Sequence, residues 1–211
     1  LGLGTVGAGT VRVLGRNAGE IARRAGRELR VRSACVRDPA RARDLGGAGP
    51  AIATDPRAII DDPQVRIVVE LMGGIEPART LVLEAIARGK HVVTANKALI
   101  ALHGDEIFAA AQAAGVTVAF EAAVAGGIPV IKTLRESLAG NTVGWLAGII
   151  NGTCNFILSA MREEGAEFEA ALAEAQRLGY AEADPSFDID GVDAAHKLTI
   201  LAAISFGIPL R

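Results

Sequence analysis

LGLGTVGAGTV, residues 1–11, carries glycines at positions 2, 4 and 7, and the reading of those three positions decides the fold. The spacing G-x-G-x-x-G suits a tight turn between a strand and a helix. The first glycine turns the chain, the second lets backbone N–H groups approach a pyrophosphate, and the third lets the helix pack closely on the strand. The helix N-terminus adds its partial positive charge at the phosphates. With 25 glycines in 211 residues, the spacing alone is a weak signal, so the segments behind it carry the weight.

Those segments alternate. Apolar residues at near-helical spacing (Val6, Val11, Val13, Leu14, Ile21) predict a helix over 5–24. LRVRSACV (29–36) reads as a strand and DPRAIIDDP as a short helix. VRIVVELM (65–72) is an apolar run of strand length, as in a parallel strand buried on both faces. Pro77 and Gly89 bracket a helix, HVVTA (91–95) reads as a strand, 104–115 as a helix and 116–124 as a strand. Strand and helix in alternation with short connections indicate an α/β fold with a Rossmann-type parallel sheet, here over residues 1–124. Only Leu1 precedes the glycine turn, so the first strand is expected to be cut short.

The pattern changes beyond residue 124. Residues 142–150 (TVGWLAGII) predict a strand of a new sheet, followed by helices near 153–164, 167–178 and 191–206. Residues 125–211 therefore read as part of a second, α+β domain.

Composition narrows the function. A formal net charge of −2 and a pI near 6.0 give no electrostatic footprint for nucleic acid or an anionic membrane. No run is long and apolar enough for a transmembrane helix. Cys35 and Cys154 lie far apart in apolar stretches, as small core thiols do in a reducing, cytoplasmic compartment. Of 22 basic residues only four are lysines: Lys90, Lys97, Lys132 and Lys197.

The last helix, GVDAAHKLTILAAISFG, is the most informative about chemistry. Asp193 and Lys197 are four residues apart and share a face with Ile200 and Ile204, while Ala195, Leu198 and Ala202 make the opposite face apolar too. A helix apolar all round is expected to be buried, placing the pair in or at the rim of an interior cleft. Ionised groups there are costly and collect at functional sites. Lysine, unlike arginine, can lose a proton when desolvated, so Lys197 in this arginine-rich chain points to proton chemistry. The preceding loop carries Glu182, Asp184, Asp188 and Asp190 and can present a carboxylate to a substrate ammonium group. Lys97 follows the C-terminal end of a parallel strand, where open α/β sheets bind ligands. The second strand ends in Arg37 and Asp38, with Arg41 and Arg43 close behind. The arginines favour the 2′-phosphate of NADP, and Asp38 keeps the ribose hydroxyl of NAD open.

GLGTVGAG, VVELMGG, TANKALI, FEAAVAGGIPVI, GIINGTCNFIL and GYAEADPSFDIDGVDAAHKLTILA together resemble the homoserine dehydrogenases, in that family's order and over nearly the whole chain. The resemblance implies NAD(P)H-linked interconversion of L-aspartate 4-semialdehyde and L-homoserine, toward threonine, isoleucine and methionine. It implies Lys197 as the acid/base and Lys97 as a second polarising group near nicotinamide and substrate. Glu182 and Asp193 would bind the substrate. Gly2, Gly4, Thr5, Val6, Gly7, Arg37, Gly73, Lys97 and Gly179 would approach the cofactor. Glu121, Val124, Gly126 and Ile128 would give oxygen ligands to a monovalent cation such as Na+, with Ala125 where many relatives have glycine. It also implies a small-molecule substrate, a homodimer or higher homo-oligomer, and a second, catalytic and dimerisation domain that continues beyond FGIPLR, so that the chain is part of a longer one. Two other readings stay open: another NAD(P)-dependent reductase of a small amino-acid-derived aldehyde or imine, and a non-catalytic nucleotide-binding fragment.

Overall fold

The computed structural model of the chain describes residues 1–41 and 49–210. It divides into two compact units, Leu1–Ala123 and Val124–Arg211.

The first unit begins with the glycine turn and α1 (Thr5–Arg16), followed by α2 (Ala18–Ala25). The single helix expected over 5–24 is bent at Asn17, whose φ of −106° and ψ of 20° leave the helical range. The ladder continues through the bend: Asn17 N–H donates to the Val13 carbonyl at 3.0 Å and Ile21 N–H to Asn17 at 2.9 Å. Then come β1 (Ser33–Cys35), β2 (Ala51–Ala53), α3 (Arg57–Ile60), β3 (Ile67–Glu70), α4 (Ala78–Ala87), β4 (His91–Thr94), α5 (Lys97–Ala114) and β5 (Val118–Ala119). β1 pairs with β2, and β3, β4 and β5 lie in that order, every pair parallel.

Leu1 and Gly2 join the two sheets. Gly2 N–H donates to the Cys35 carbonyl at 3.0 Å on one side, and the Leu1 carbonyl accepts from Leu71 N–H at 2.8 Å on the other. With Leu1–Gly2 counted as a strand, the order across the sheet is the 3-2-1-4-5-6 of a doubly wound nucleotide-binding fold.

One sheet face packs on the helices. Val68 and Val92 are buried there against Ile60, Leu81, Val82, Leu99 and Ile107, each such side chain contributing about 1.5–3 kcal/mol. Burial on both faces, expected for β3 and β4, is not what the unit has. Ile67 and Val93 point the other way and stay well exposed.

The second unit contains α6 (Val130–Lys132), running into a π-type turn over Thr133–Ser137, then α7 (Gly152–Glu163), α8 (Phe168–Arg177), α9 (Ser186–Ile189) and α10 (Val192–Phe206). The strand expected over 142–150 is not formed. No described strand pairs with this segment, and Trp145 and Ile149 are 80% and 78% exposed. α7 and α8 pack through Ile157, Ala171 and Ala175. α10 departs from the expectation of all-round burial: Asp193, Ile200 and Leu201 are buried, but Val192, Leu198 and Phe206 are exposed. It therefore has one inward face, and the charged residue Asp193 lies on it.

Candidate active site

The glycine turn of the first unit has the shape its spacing implies. Gly2 has φ +91°, and a Cβ there would lie 2.7 Å from the Leu71 carbonyl oxygen. A Cβ on Gly7 would lie 2.2 Å from the Gly2 carbonyl oxygen, so α1 can sit this close to the turn only without one. Gly4 caps α1 from outside, and a Cβ on it would meet nothing within 4 Å. The space in front of Gly4 and the first-turn N–H groups of α1, which have no carbonyl of their own helix to bond, fit a pyrophosphate. Thr5 and Val6 begin that turn, and both are exposed.

Three other sequence-predicted positions lie beyond the C-terminal ends of strands in this unit. Arg37 is exposed two residues after β1, and the Asp38 carboxylate accepts from Ala40 N–H at 3.0 Å, holding a 3-10 turn over Pro39–Arg41. Arg43 and the side chain of Arg41 lie outside the described residues. Gly73 has φ +75° in the loop after β3. Lys97 is the half-buried first residue of α5, seven residues before the predicted start. The earlier start has a local cause. Asn96 is the N-cap, its side-chain oxygen accepting from Leu99 N–H at 3.1 Å.

The second unit holds a cavity of about 660 Å³ lined by Asn151, Thr153, Gly179, Asp188, Asp193 and Lys197, among others. The Lys197 ammonium donates to Asp193 Oδ2 at 2.6 Å and to the Ile150 carbonyl at 2.7 Å. Two of its three N–H bonds are thus committed, which leaves a third for a ligand in the cavity. Asn151, the N-cap of α7, donates from Nδ2 to Asp188 Oδ1 and Asp193 Oδ2, both at 2.8 Å, while its Oδ1 accepts from Cys154 N–H at 2.8 Å. Thr153 Oγ1 donates to the Tyr180 carbonyl at 2.7 Å, tying the start of α7 to the loop after Gly179. Burial, and then the negative charges of Asp188 and Asp193, push the Cys154 thiol up from its ordinary value.

The loop carboxylates separate by role. Asp188 faces the cavity, whereas Asp184 is exposed and accepts from Ser186 Oγ at 2.6 Å. Glu182 is exposed, with its carbonyl accepting from Gln176 at 3.1 Å. Sequence reasoning missed Asn151, which ties Asp188 and Asp193 together. An asparagine just before the helix start GTCNFIL is the capping signal that marks it.

Of the four residues implied as cation ligands, Glu121 opens a 3-10 turn over Glu121–Ala123 in the first unit, and Val124, Gly126 and Ile128 belong to the second. Ala125 has a left-handed φ of 49°, and its carbonyl accepts from Ile128 N–H at 2.9 Å. A glycine would adopt this φ at less cost than alanine does. Among the described residues no cluster of three or more His, Cys, Asp and Glu side chains is arranged for a metal ion, and no helix is long and apolar enough to cross a membrane.

The family models agree with this division of the chain. Residues 2–121 match the homoserine dehydrogenase NAD-binding domain and residues 129–211 the homoserine dehydrogenase domain. A homoserine dehydrogenase of Pseudomonas aeruginosa is 63% identical over 210 residues, covering 100% of this chain and 48% of that protein. The crystal structure of a homoserine dehydrogenase from Thiobacillus denitrificans superposes with a TM-score of 0.95 at 68% identity, over 100% of this chain and 48% of that one. A hyperthermophilic archaeal homoserine dehydrogenase in complex with NADPH superposes with a TM-score of 0.78 at 27% identity, over 99% of this chain and 69% of that one. The chain spans about half the length of the curated relatives it matches. It belongs to the homoserine dehydrogenase family.

Proposed function

We propose that this chain carries the homoserine dehydrogenase reaction, the NAD(P)H-dependent interconversion of L-aspartate 4-semialdehyde and L-homoserine in threonine, isoleucine and methionine biosynthesis. The observation that carries the proposal is the Lys197 ammonium held 2.6 Å from buried Asp193 at the wall of a cavity. A nicotinamide cofactor held at the Gly2–Gly7 turn would supply the hydride for the aldehyde carbon. Lys197 supplies the proton that the carbonyl oxygen takes up as the alcohol forms, and in reverse removes it from the homoserine hydroxyl. Asp193 and Asn151 hold Lys197 and the cavity carboxylates in register, which limits the reorganisation needed at transfer.

Asp193, Asp188 and Glu182 are the proposed partners of the substrate ammonium group, and Lys97 is the proposed second polarising group. Gly2, Gly4, Thr5, Val6, Gly7, Arg37, Gly73, Lys97 and Gly179 are the proposed cofactor contacts. NADP is the preferred cofactor in this proposal. Arg37 is exposed beyond β1, and the Asp38 carboxylate is engaged with Ala40, which supports a 2′-phosphate over a free ribose hydroxyl. A monovalent cation, Na+ for instance, held by oxygens of Glu121, Val124, Gly126 and Ile128 belongs to the same proposal. So does a homo-oligomer, which the exposed Trp145 and Ile149 support. Two free thiols, Cys35 and Cys154, support a cytoplasmic location.

The test is to supply NADPH and aspartate semialdehyde, follow absorbance at the nicotinamide band, and identify the product by chromatography. Stoichiometric homoserine is the expected result. NADPH binding without homoserine formation would overturn the proposal in favour of a non-catalytic nucleotide-binding chain.

A further inference from the structure

Glu70, the last residue of β3, is completely buried within the sheet's covered face. A carboxylate there is costly unless its oxygens are bonded, and both are. Oε2 accepts from Thr94 Oγ1 at 2.6 Å and Oε1 from Met72 N–H at 2.7 Å. Thr94 is its register partner on β4. The Thr94 oxygen in turn accepts from Asn96 N–H at 2.9 Å, and Asn96 Nδ2 donates to the Gly74 carbonyl at 2.5 Å. The bonds close a ring, Glu70–Met72…Gly74–Asn96–Thr94–Glu70. This ring fixes the loop after β3 at two points and the N-cap of α5 at one.

Both pinned segments face ligand positions at the C-terminal ends of parallel strands. The loop also abuts the glycine turn, since a Cβ on Gly2 would lie 3.1 Å from Met72 N. An apolar pair such as Val–Val would fill the β3–β4 register position at lower desolvation cost but would leave Met72 and Asn96 N–H without acceptors. We propose that Glu70 and Thr94 are positioning residues that hold the 71–74 loop, the Gly2 turn and the Lys97 helix start in cofactor-binding geometry. That those segments meet a nicotinamide cofactor rests on the function proposed above.

The experiment measures the NADPH dissociation constant by fluorescence titration of the full chain and the KM for aspartate semialdehyde, in wild type, Thr94→Val, Thr94→Ser and Val82→Ala. Val82 is a fully buried core residue of the same unit, so its truncation reports general loosening. Thr94→Val removes both bonds at that oxygen, the one to the Glu70 carboxylate and the one from Asn96 N–H, and is expected to raise the NADPH constant about tenfold or more, the charged bond alone being worth about that factor. Thr94→Ser keeps both bonds and stays near wild type, as does Val82→Ala, and the semialdehyde KM is unchanged throughout. An unchanged NADPH constant in Thr94→Val, or an equal rise in Val82→Ala, overturns the inference alone. Wild type failing to bind NADPH overturns the cofactor proposal itself. Should Thr94→Val not fold, Glu70→Gln supplies the comparison with the same expected rise. With its amide oxygen kept on Met72 N–H, its NH2 would face Thr94, and the Thr94 hydroxyl proton would lose its acceptor.

Discussion

Replacing Asp193 by alanine removes the acceptor of two short hydrogen bonds, from Lys197 Nζ at 2.6 Å and Asn151 Nδ2 at 2.8 Å. Each donor keeps one other partner, the Ile150 carbonyl and Asp188 respectively. The lysine side chain is only 20% exposed and the aspartate 7%, so water compensates little. Losing one charged and one mixed hydrogen bond, with an ammonium left short of a counter-charge, costs about 3 kcal/mol. For a chain of this size that lowers the thermal midpoint by about 6–12 °C. The double replacement Asp193→Leu with Lys197→Met takes both charges out of the half-buried site. It is expected to recover most of the loss, to within about 1 kcal/mol of wild type, because an apolar pair escapes the desolvation penalty. Thermal melts at pH 7 followed by circular dichroism read all three proteins, and turnover is expected to fall steeply in both variants. A double variant as unstable as Asp193→Ala would show that the pair serves the fold, and would refute the assignment of its cost to chemistry.

Other outcomes follow from the geometry. Gly7→Ala places a Cβ 2.2 Å from the Gly2 oxygen. It is expected to weaken NADPH binding and to lower stability by about 1–3 kcal/mol through forced displacement of α1. Gly4→Ala, with open space around its Cβ position, is expected to weaken binding while lowering stability by no more than about 1 kcal/mol, the cost of alanine at an N-cap, as urea titrations would read. Burial and the Asp188 and Asp193 charges raise the Cys154 thiol, so its alkylation by iodoacetamide near pH 8.5 should lag behind that of a free thiol and rise only at higher pH. Asp188→Asn removes one of those charges and should speed the reaction; equal rates at matched pH would contradict this. Arg37→Ala is expected to lower kcat/KM for NADPH about tenfold or more and to leave NADH use nearly unchanged, through loss of the proposed charge-assisted phosphate contact.

Local patterns in the sequence located most elements, and non-local pairing decided the rest. VRIVVELM and HVVTA became strands beside each other because each supplies a run of β-branched residues that the other can pair with. TVGWLAGII has the same local character, yet no described strand pairs with it, and it stays outside any helix or strand with Trp145 exposed. β2 is only three residues, Ala51–Ala53, with no alternation to signal it. The Asp193–Lys197 pair was legible because i,i+4 spacing brings two charges onto one face within a single helix. Asn151 was not, because it reaches them from 42 residues upstream, across a contact that only the tertiary fold creates. Glu70 did leave a trace, a lone acid in an otherwise apolar strand run, and such a residue has to be either exposed or bonded.

The most direct measurement is steady-state turnover of aspartate semialdehyde and NADPH by Lys197→Ala and Lys197→Arg beside wild type. Wild type is expected to form homoserine. Loss of positioned proton transfer should lower kcat in Lys197→Ala by about 10²–10⁴-fold, with the NADPH dissociation constant unchanged. Lys197→Arg, which keeps the charge but cannot release a proton, should rescue little of that loss. Wild-type turnover in Lys197→Ala would contradict the role of Lys197 as the proton donor on which the proposed mechanism stands.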